Sequence, residues 1–190
     1  MGLKISRTMA DLKPGDHLCC LYSTAEEYCA ALAPFLQHGF DLAEKAVYVS
    51  NSRTPDAFLA YTRQGGFDFW PYLNRGQLRL FGLRDTDVMA QFLSLDGVIV
   101  WLSAEIERAQ AEGYVALRLI REVSEMLGRS WGAQEMIASE DRLNAFLPNS
   151  CCLCLCQYDQ RRLSAATLTD VLNAHPTVVI GSGLYDNFSL

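Results

Sequence analysis

Short apolar runs alternate with helical segments along almost the whole chain, and that alternation narrows the folds open to it. HLCCLY (His17–Tyr22), AVYVS (Ala46–Ser50), QLRLFGL (Gln77–Leu83), YVALRLIREV (Tyr114–Val123), CCLCLCQYD (Cys151–Asp159) and TVVIGSG (Thr177–Gly183) read as strands. Several are continuously apolar, the mark of strands covered on both faces. Between them, Tyr28, Leu32, Phe35, Leu36 and Leu42 recur at helical spacing in a helix over about Ala25–Ala43, capped by Ser23 or Thr24, with Pro34 a candidate kink. Thr54 and Pro55 open a second helix. Asp85 or Thr86 is expected to cap a long one reaching about Glu112. Two more lie in GAQEMIASEDRLNAFLP and SAATLTDVLNAHP, the last stopping before Pro176. FDFWPYLNRG and SEMLGRSWG read as connections. Met1–Asp16 reads as a polar lead-in, and YDNFSL as a tail. The expected fold is α/β: a three-layer αβα sandwich around a mostly parallel sheet, one domain over residues 1–190. Ligands of such folds sit outside the carboxyl ends of the strands.

Composition excludes several partners. The net charge is −6 with no basic stripe, which argues against direct nucleic-acid binding. No apolar run approaches the roughly 18 residues of a membrane helix, and the N-terminus lacks a secretory apolar core. A cytoplasmic protein is expected, with its seven cysteines as thiols.

The common nucleotide motifs are missing. The segment after the first strand, YSTAEEYCAALA, has no glycine or lysine to cradle phosphate, and Glu26 and Glu27 stand where phosphate would arrive. No G-x-G-x-x-G fingerprint occurs, and no serine lies in a nucleophile elbow.

CCLCLCQYD invites a metal reading. On a strand, Cys152, Cys154 and Cys156 share one face, about 6.6 Å apart. Two sulfurs on one zinc lie at most about 4.6 Å apart, so a straight row cannot form the cage. The favoured reading is buried core thiols. A metal or redox alternative would combine His17, Cys19, Cys154, Cys156 and His175 after folding, and Cys156 with His175 is conceivable as a nucleophile and base. Arg118 and Arg121 lie in a strand expected to be buried. They require partners, such as Glu140 or Asp141, or else an opening to a cleft. Tyr22 and Tyr158 end other strands and could line that cleft, with Trp131 as its aromatic wall.

The ordered set of motifs resembles the MEDS family, the methanogen/methylotroph DcmR sensory domain. The resemblance rests on HLCCLYSTAEEYCAALAPFLQHGFDLAEKAVYVS, LRLIREVSEM, ASEDRLNAFL and CLCQYDQRRLSAATLTDVLNAHPTVVIGSGLYDN, spanning Asp16 to Asn187. It implies a RecA/KaiC-like fold without a functional phosphate loop, and a role in sensing small molecules such as simple hydrocarbon derivatives. Members are often fused to DNA-binding or kinase modules. No such module is expected in these 190 residues, so the output is expected through a partner kinase or transcription regulator, or through homo-oligomerisation.

The resulting expectation is a non-enzymatic sensory domain with no required cofactor. Its ligand would sit in one cleft lined by Tyr22, Glu26, Arg121, Glu122, Trp131 and Tyr158, with His17 and His175 as further contacts. The alternatives are a Cys/His metal- or redox-dependent sensor or enzyme, and a nucleotide-binding interaction module that does not hydrolyse.

Overall fold

The computed structural model describes residues 7–50, 54–82, 94–124, 132–181 and 183–186. In chain order the elements are β1 (His17–Tyr22), α1 (Ala25–Asp41), β2 (Lys45–Ser50), α2 (Pro55–Gln64), α3 (Trp70–Asn74), β3 (Leu78–Gly82), α4 (Leu95–Ala111), β4 (Leu117–Glu122), α5 (Ala133–Phe146), β5 (Cys152–Asp159), α6 (Ala165–Ala174), β6 (Thr177–Ile180) and β7 (Gly183–Asp186). The strands form one 7-stranded sheet in the order β3-β2-β4-β5-β1-β6-β7. Every pairing is parallel except that of β6 with β7.

The pleat divides the core in two. Cys19, Val47, Val49, Leu117, Leu119, Cys152, Cys154 and Cys156 face α4, α5 and α6, where Leu102, Met136, Leu143 and Val171 meet them. Leu18, Cys20, Ala46, Tyr48, Ile120, Leu153 and Leu155 face the opposite way, against Leu32, Phe35 and Leu36 of α1, Phe58 and Leu59 of α2, and Phe69. Burying each large apolar side chain contributes about 1.5–3 kcal/mol, so both layers hold the sheet. The three-layer, mostly parallel expectation is met. The cysteine row of β5 lines one apolar face, while Cys151 is exposed before the strand begins.

Local chemistry explains the helix starts. Thr24 accepts from the Glu27 amide while the Glu27 carboxylate returns to the Thr24 amide, a reciprocal cap on α1. Thr54 and Ser164 cap α2 and α6 through their hydroxyls. Pro34 lies inside α1, which runs on past it to Asp41. Gly39 has a packing reason: a Cβ there would collide with Nε and Cδ of Arg118. That guanidinium is buried, pairs with Glu44 and donates to the Phe35 carbonyl at 2.8 Å.

Several expected boundaries change. The described long helix starts at Leu95 with Ser94 as its cap, not at Asp85 or Thr86, which lie outside the described residues. FDFWPYLNRG contains the short helix α3. The sixth strand stops at Ile180 rather than Gly183, and Gly183–Asp186, which includes the first two tail residues, forms β7, the single antiparallel strand of the described sheet. The lead-in is not merely polar: Leu12 is buried, and Arg7 pairs with Asp16 at 2.9 Å and with Asp186 at 3.4 Å, tying it to β7.

Candidate functional site

On the face covered by α5 and α6, the sheet carries a wholly buried polar cluster. Register places it: Cys19 of β1 lies beside Cys156 of β5, and Arg121 of β4 lies on the other side of Cys156. His17 opens β1 on the same face, and Tyr158 lies two residues beyond Cys156. Helix α5 drops Glu140 into the middle, and His175 follows the last turn of α6.

Glu140 is the hub. Arg121 Nη1 lies 3.3 and 3.2 Å from its two carboxylate oxygens, and the Tyr158 hydroxyl donates to Oε1 at 2.8 Å. Its Oε2 is 3.3 Å from His17 Nε2, 3.6 Å from His175 Nε2 and 3.3 Å from Cys156 Sγ. Arg121 also donates to the Ser139 hydroxyl at 3.1 Å. The ion pair expected between Arg121 and Glu140 or Asp141 is therefore made with Glu140.

Outer contacts fix both imidazoles. Asn144 donates through its amide nitrogen to the Ala174 carbonyl at 2.6 Å, so its oxygen faces His17 Nδ1 at 2.8 Å, and that nitrogen carries a hydrogen. His175 Nδ1 lies 2.8 Å from the Val171 carbonyl, which can only accept, so it too carries a hydrogen. The Nε2 atoms of both rings turn toward Glu140. The ring centroids are 4.4 Å apart.

Burial disfavours charge throughout this cluster, and the partners decide which charges survive. Burial would raise the Glu140 carboxyl, but Arg121 and the two histidines reverse this and hold it well below the usual carboxylate range. Burial, then Cys154, pushes the Cys156 thiol well up, and burial and Glu140 do the same to the Tyr158 phenol. His17 would lose basicity on burial, yet Cys156 and Glu140 raise it to about 10. The four groups His17, Glu140, Cys156 and His175 each offer one donor atom within 4.8 Å of the others.

The opposite face carries a different group at the carboxyl ends of β1, β2 and β4. Glu122 accepts from the Ser50 hydroxyl and bonds to Tyr48, whose hydroxyl meets that of Tyr28. Tyr28 packs edge-on against Tyr22 at 5.2 Å and against Tyr61 at 5.6 Å. Tyr61 opens onto a hollow of about 110 Å³ between α1 and α2, lined by Ala25, Glu26, Cys29, Tyr61, Gln64 and Gly65.

The residues expected to line a single cleft instead form two groups on opposite faces of the sheet. His17, Arg121, Tyr158 and His175 gather on the α5–α6 face, and Tyr22, Glu26 and Glu122 belong to the α1–α2 face. Trp131 lies outside the described residues. Of the alternative metal set, His17, Cys156 and His175 converge. Cys154 Sγ is 3.6 Å from Cys156 Sγ, behind the cluster rather than in it, and Cys19 shares the face without joining the group of four. Sequence reasoning missed Glu140 as a hub and missed Asn144, Ser139, Ser50, Tyr28, Tyr48 and Tyr61. Glu140 carried a signal, being an acid at the core spacing of α5 with Met136 and Leu143.

The family model described as MEthanogen/methylotroph, DcmR Sensory domain (MEDS) matches residues 16–176. No curated protein matches the chain. Among solved structures, the KaiC-like protein PH0186 from the archaeon Pyrococcus horikoshii OT3 is similar over 87% of this chain and 70% of its own, at 13% identity and a TM-score of 0.59. The flagellar accessory protein FlaH from Methanocaldococcus jannaschii is similar over 96% of this chain and 83% of its own, at 13% identity and a TM-score of 0.53. These likenesses establish a KaiC-like, RecA-type fold.

Proposed function

Because this chain belongs to the MEDS sensory-domain family, we propose that it is a non-enzymatic sensory domain that takes a small ligand in the hollow between α1 and α2. The observation that carries this reading is the hollow itself: about 110 Å³, at the carboxyl edge of the sheet, beside the Tyr22–Tyr28–Tyr61 cluster. Ligands of open α/β sheets sit at that edge. A water molecule's share of liquid volume is about 30 Å³, so the space suits a molecule of only a few heavy atoms, such as a simple hydrocarbon derivative. Ala25, Cys29 and the Tyr61 ring offer apolar contact, and Glu26 and Gln64 offer polar contact. Since α1 and α2 each contribute walls, a ligand would favour one spacing of these helices, which a partner protein or a second copy would read.

A nucleotide-binding module is the competing reading, and the N-terminus of α1 speaks against it. The Glu27 carboxylate accepts from the Ser23 amide at 2.7 Å and from the Thr24 amide at 3.4 Å. A carboxylate of the chain itself therefore holds the position where a helix terminus would receive phosphate. Native mass spectrometry of untagged protein from its own host tests the proposal through a small-molecule adduct that is lost in Glu26→Ala and Tyr61→Ala.

A further inference from the structure

We propose that His17 Nε2, His175 Nε2, Cys156 Sγ and Glu140 Oε2 form a closed four-coordinate site for a divalent transition-metal ion of the zinc class. The site lies on the opposite sheet face from the α1–α2 hollow and does not depend on the small-ligand reading.

The spacing carries the inference. In a tetrahedral zinc site, nitrogen and oxygen ligands bond at about 2.0–2.2 Å and sulfur at about 2.3 Å, so neighbouring donors lie about 3.3–3.7 Å apart. The four donors give His17–Cys156 3.4 Å, His17–Glu140 3.3 Å, Cys156–Glu140 3.3 Å and His175–Glu140 3.6 Å. All four atoms fall within 4.8 Å of one another. Two imidazoles, a thiolate and a carboxylate form a donor set of intermediate softness, suited to zinc or cobalt rather than to magnesium or calcium.

The outer contacts have the form such sites require. Each histidine is held through Nδ1, His17 by the Asn144 oxygen and His175 by the Val171 carbonyl, which aims Nε2 at the centre. Arg121 and the Tyr158 hydroxyl orient the Glu140 carboxylate. On binding, Cys156 gives up its thiol proton and His17 its Nε2 proton to solvent, so that Cys156 coordinates as thiolate and His17 as neutral imidazole. Arg121 adds a positive charge beside the ion, which lowers affinity and favours exchange over permanent retention. The donors come from β1, α5, β5 and the end of α6, so an ion here would clamp both helices to the sheet. Four protein donors complete a tetrahedron, and all four side chains are buried, so no position is left for a bound water. The site is therefore structural or sensory rather than hydrolytic.

Cobalt(II) titration of untagged, chelator-treated protein tests the site, because its spectrum reports both geometry and sulfur ligation. The expected result is one equivalent bound, with the ligand-field bands of four-coordinate cobalt and a thiolate charge-transfer band. Cys156→Ser abolishes the charge-transfer band and Cys154→Ser leaves it. Asn144→Ala, which releases the outer contact on His17 and the bond to the Ala174 carbonyl beside His175, weakens binding about 10-fold or more. The proposal is overturned if the wild type binds no cobalt, or shows six-coordinate cobalt without a thiolate band. It is equally overturned by a band that survives in Cys156→Ser or disappears in Cys154→Ser, or by unchanged affinity in Asn144→Ala. Should Cys156→Ser not fold, the wild-type spectrum and the Asn144→Ala affinity still decide.

Discussion

Arg121 and Glu122 are joined by one peptide bond and serve opposite layers of the molecule. Arg121 reaches Glu140 on α5, and Glu122 accepts from Ser50 on the α1–α2 side. The period-2 pleat requires this of any two consecutive strand residues. It gives one strand end two buried polar systems that share a backbone and no side chain.

The Arg121–Glu140 pair is a strong lever on stability. In chelator-treated protein, Glu140→Gln leaves a buried guanidinium without its counter-charge and is expected to cost about 3–5 kcal/mol by urea denaturation. Adding Arg121→Met removes the orphaned charge, so the double variant should recover part of that loss. A double variant less stable than Glu140→Gln alone would show that Arg121 is held mainly by other partners.

Gly39 is fixed by close approach. Gly39→Ala sets a methyl against the buried Arg118 side chain, which Glu44 and the Phe35 carbonyl hold in place. A loss of about 1–3 kcal/mol is expected. An unchanged or raised urea midpoint would mean that Arg118 moves aside freely, contrary to its packing.

Arg7 ties the lead-in to the sheet edge through Asp16, Asp186 and a 2.8 Å bond to the Thr177 hydroxyl. The pair is part-exposed, so Arg7→Ala should cost only about 1 kcal/mol globally. Amide exchange within Gly183–Asp186 should accelerate more than exchange in β4 or β5. Uniform acceleration across the sheet would contradict this local role.

Calorimetric titration with ATP and magnesium should give no binding heat. The Glu27 carboxylate holds the amides of Ser23 and Thr24, and the turn after β1 lacks both lysine and glycine. A clear one-site isotherm would restore the nucleotide-module reading.

Much of the architecture was legible because burial on both faces writes continuous apolar strands and amphipathic helices directly into the chain. β1 and the end of β5 follow their sequence patterns closely. β7 was not legible, since GLYD is short and its pairing with β6 depends on a turn whose partner is fixed only in three dimensions. The helix at Trp70–Asn74 hid behind Pro71, which is compatible with the first turn of a helix. For the sites, the residue types were visible and their grouping was not. His17, Cys156 and His175 lie far apart in sequence, and it takes the register of β1 with β5 to bring His17 and Cys156 to one face. Glu140 reads as an ordinary helix acid until α5 is docked and its carboxylate faces Arg121. The division of Arg121 from Glu122 followed from strand geometry alone, and the single-cleft expectation failed to apply it.

Native mass spectrometry of untagged protein from its own host tests the central claim most directly. The account predicts a wild-type mass carrying a small organic adduct that is absent from Glu26→Ala and Tyr61→Ala, while both variants keep native charge-state distributions. A wild type without an organic adduct, or an adduct retained in both variants, would contradict a small-ligand site between α1 and α2.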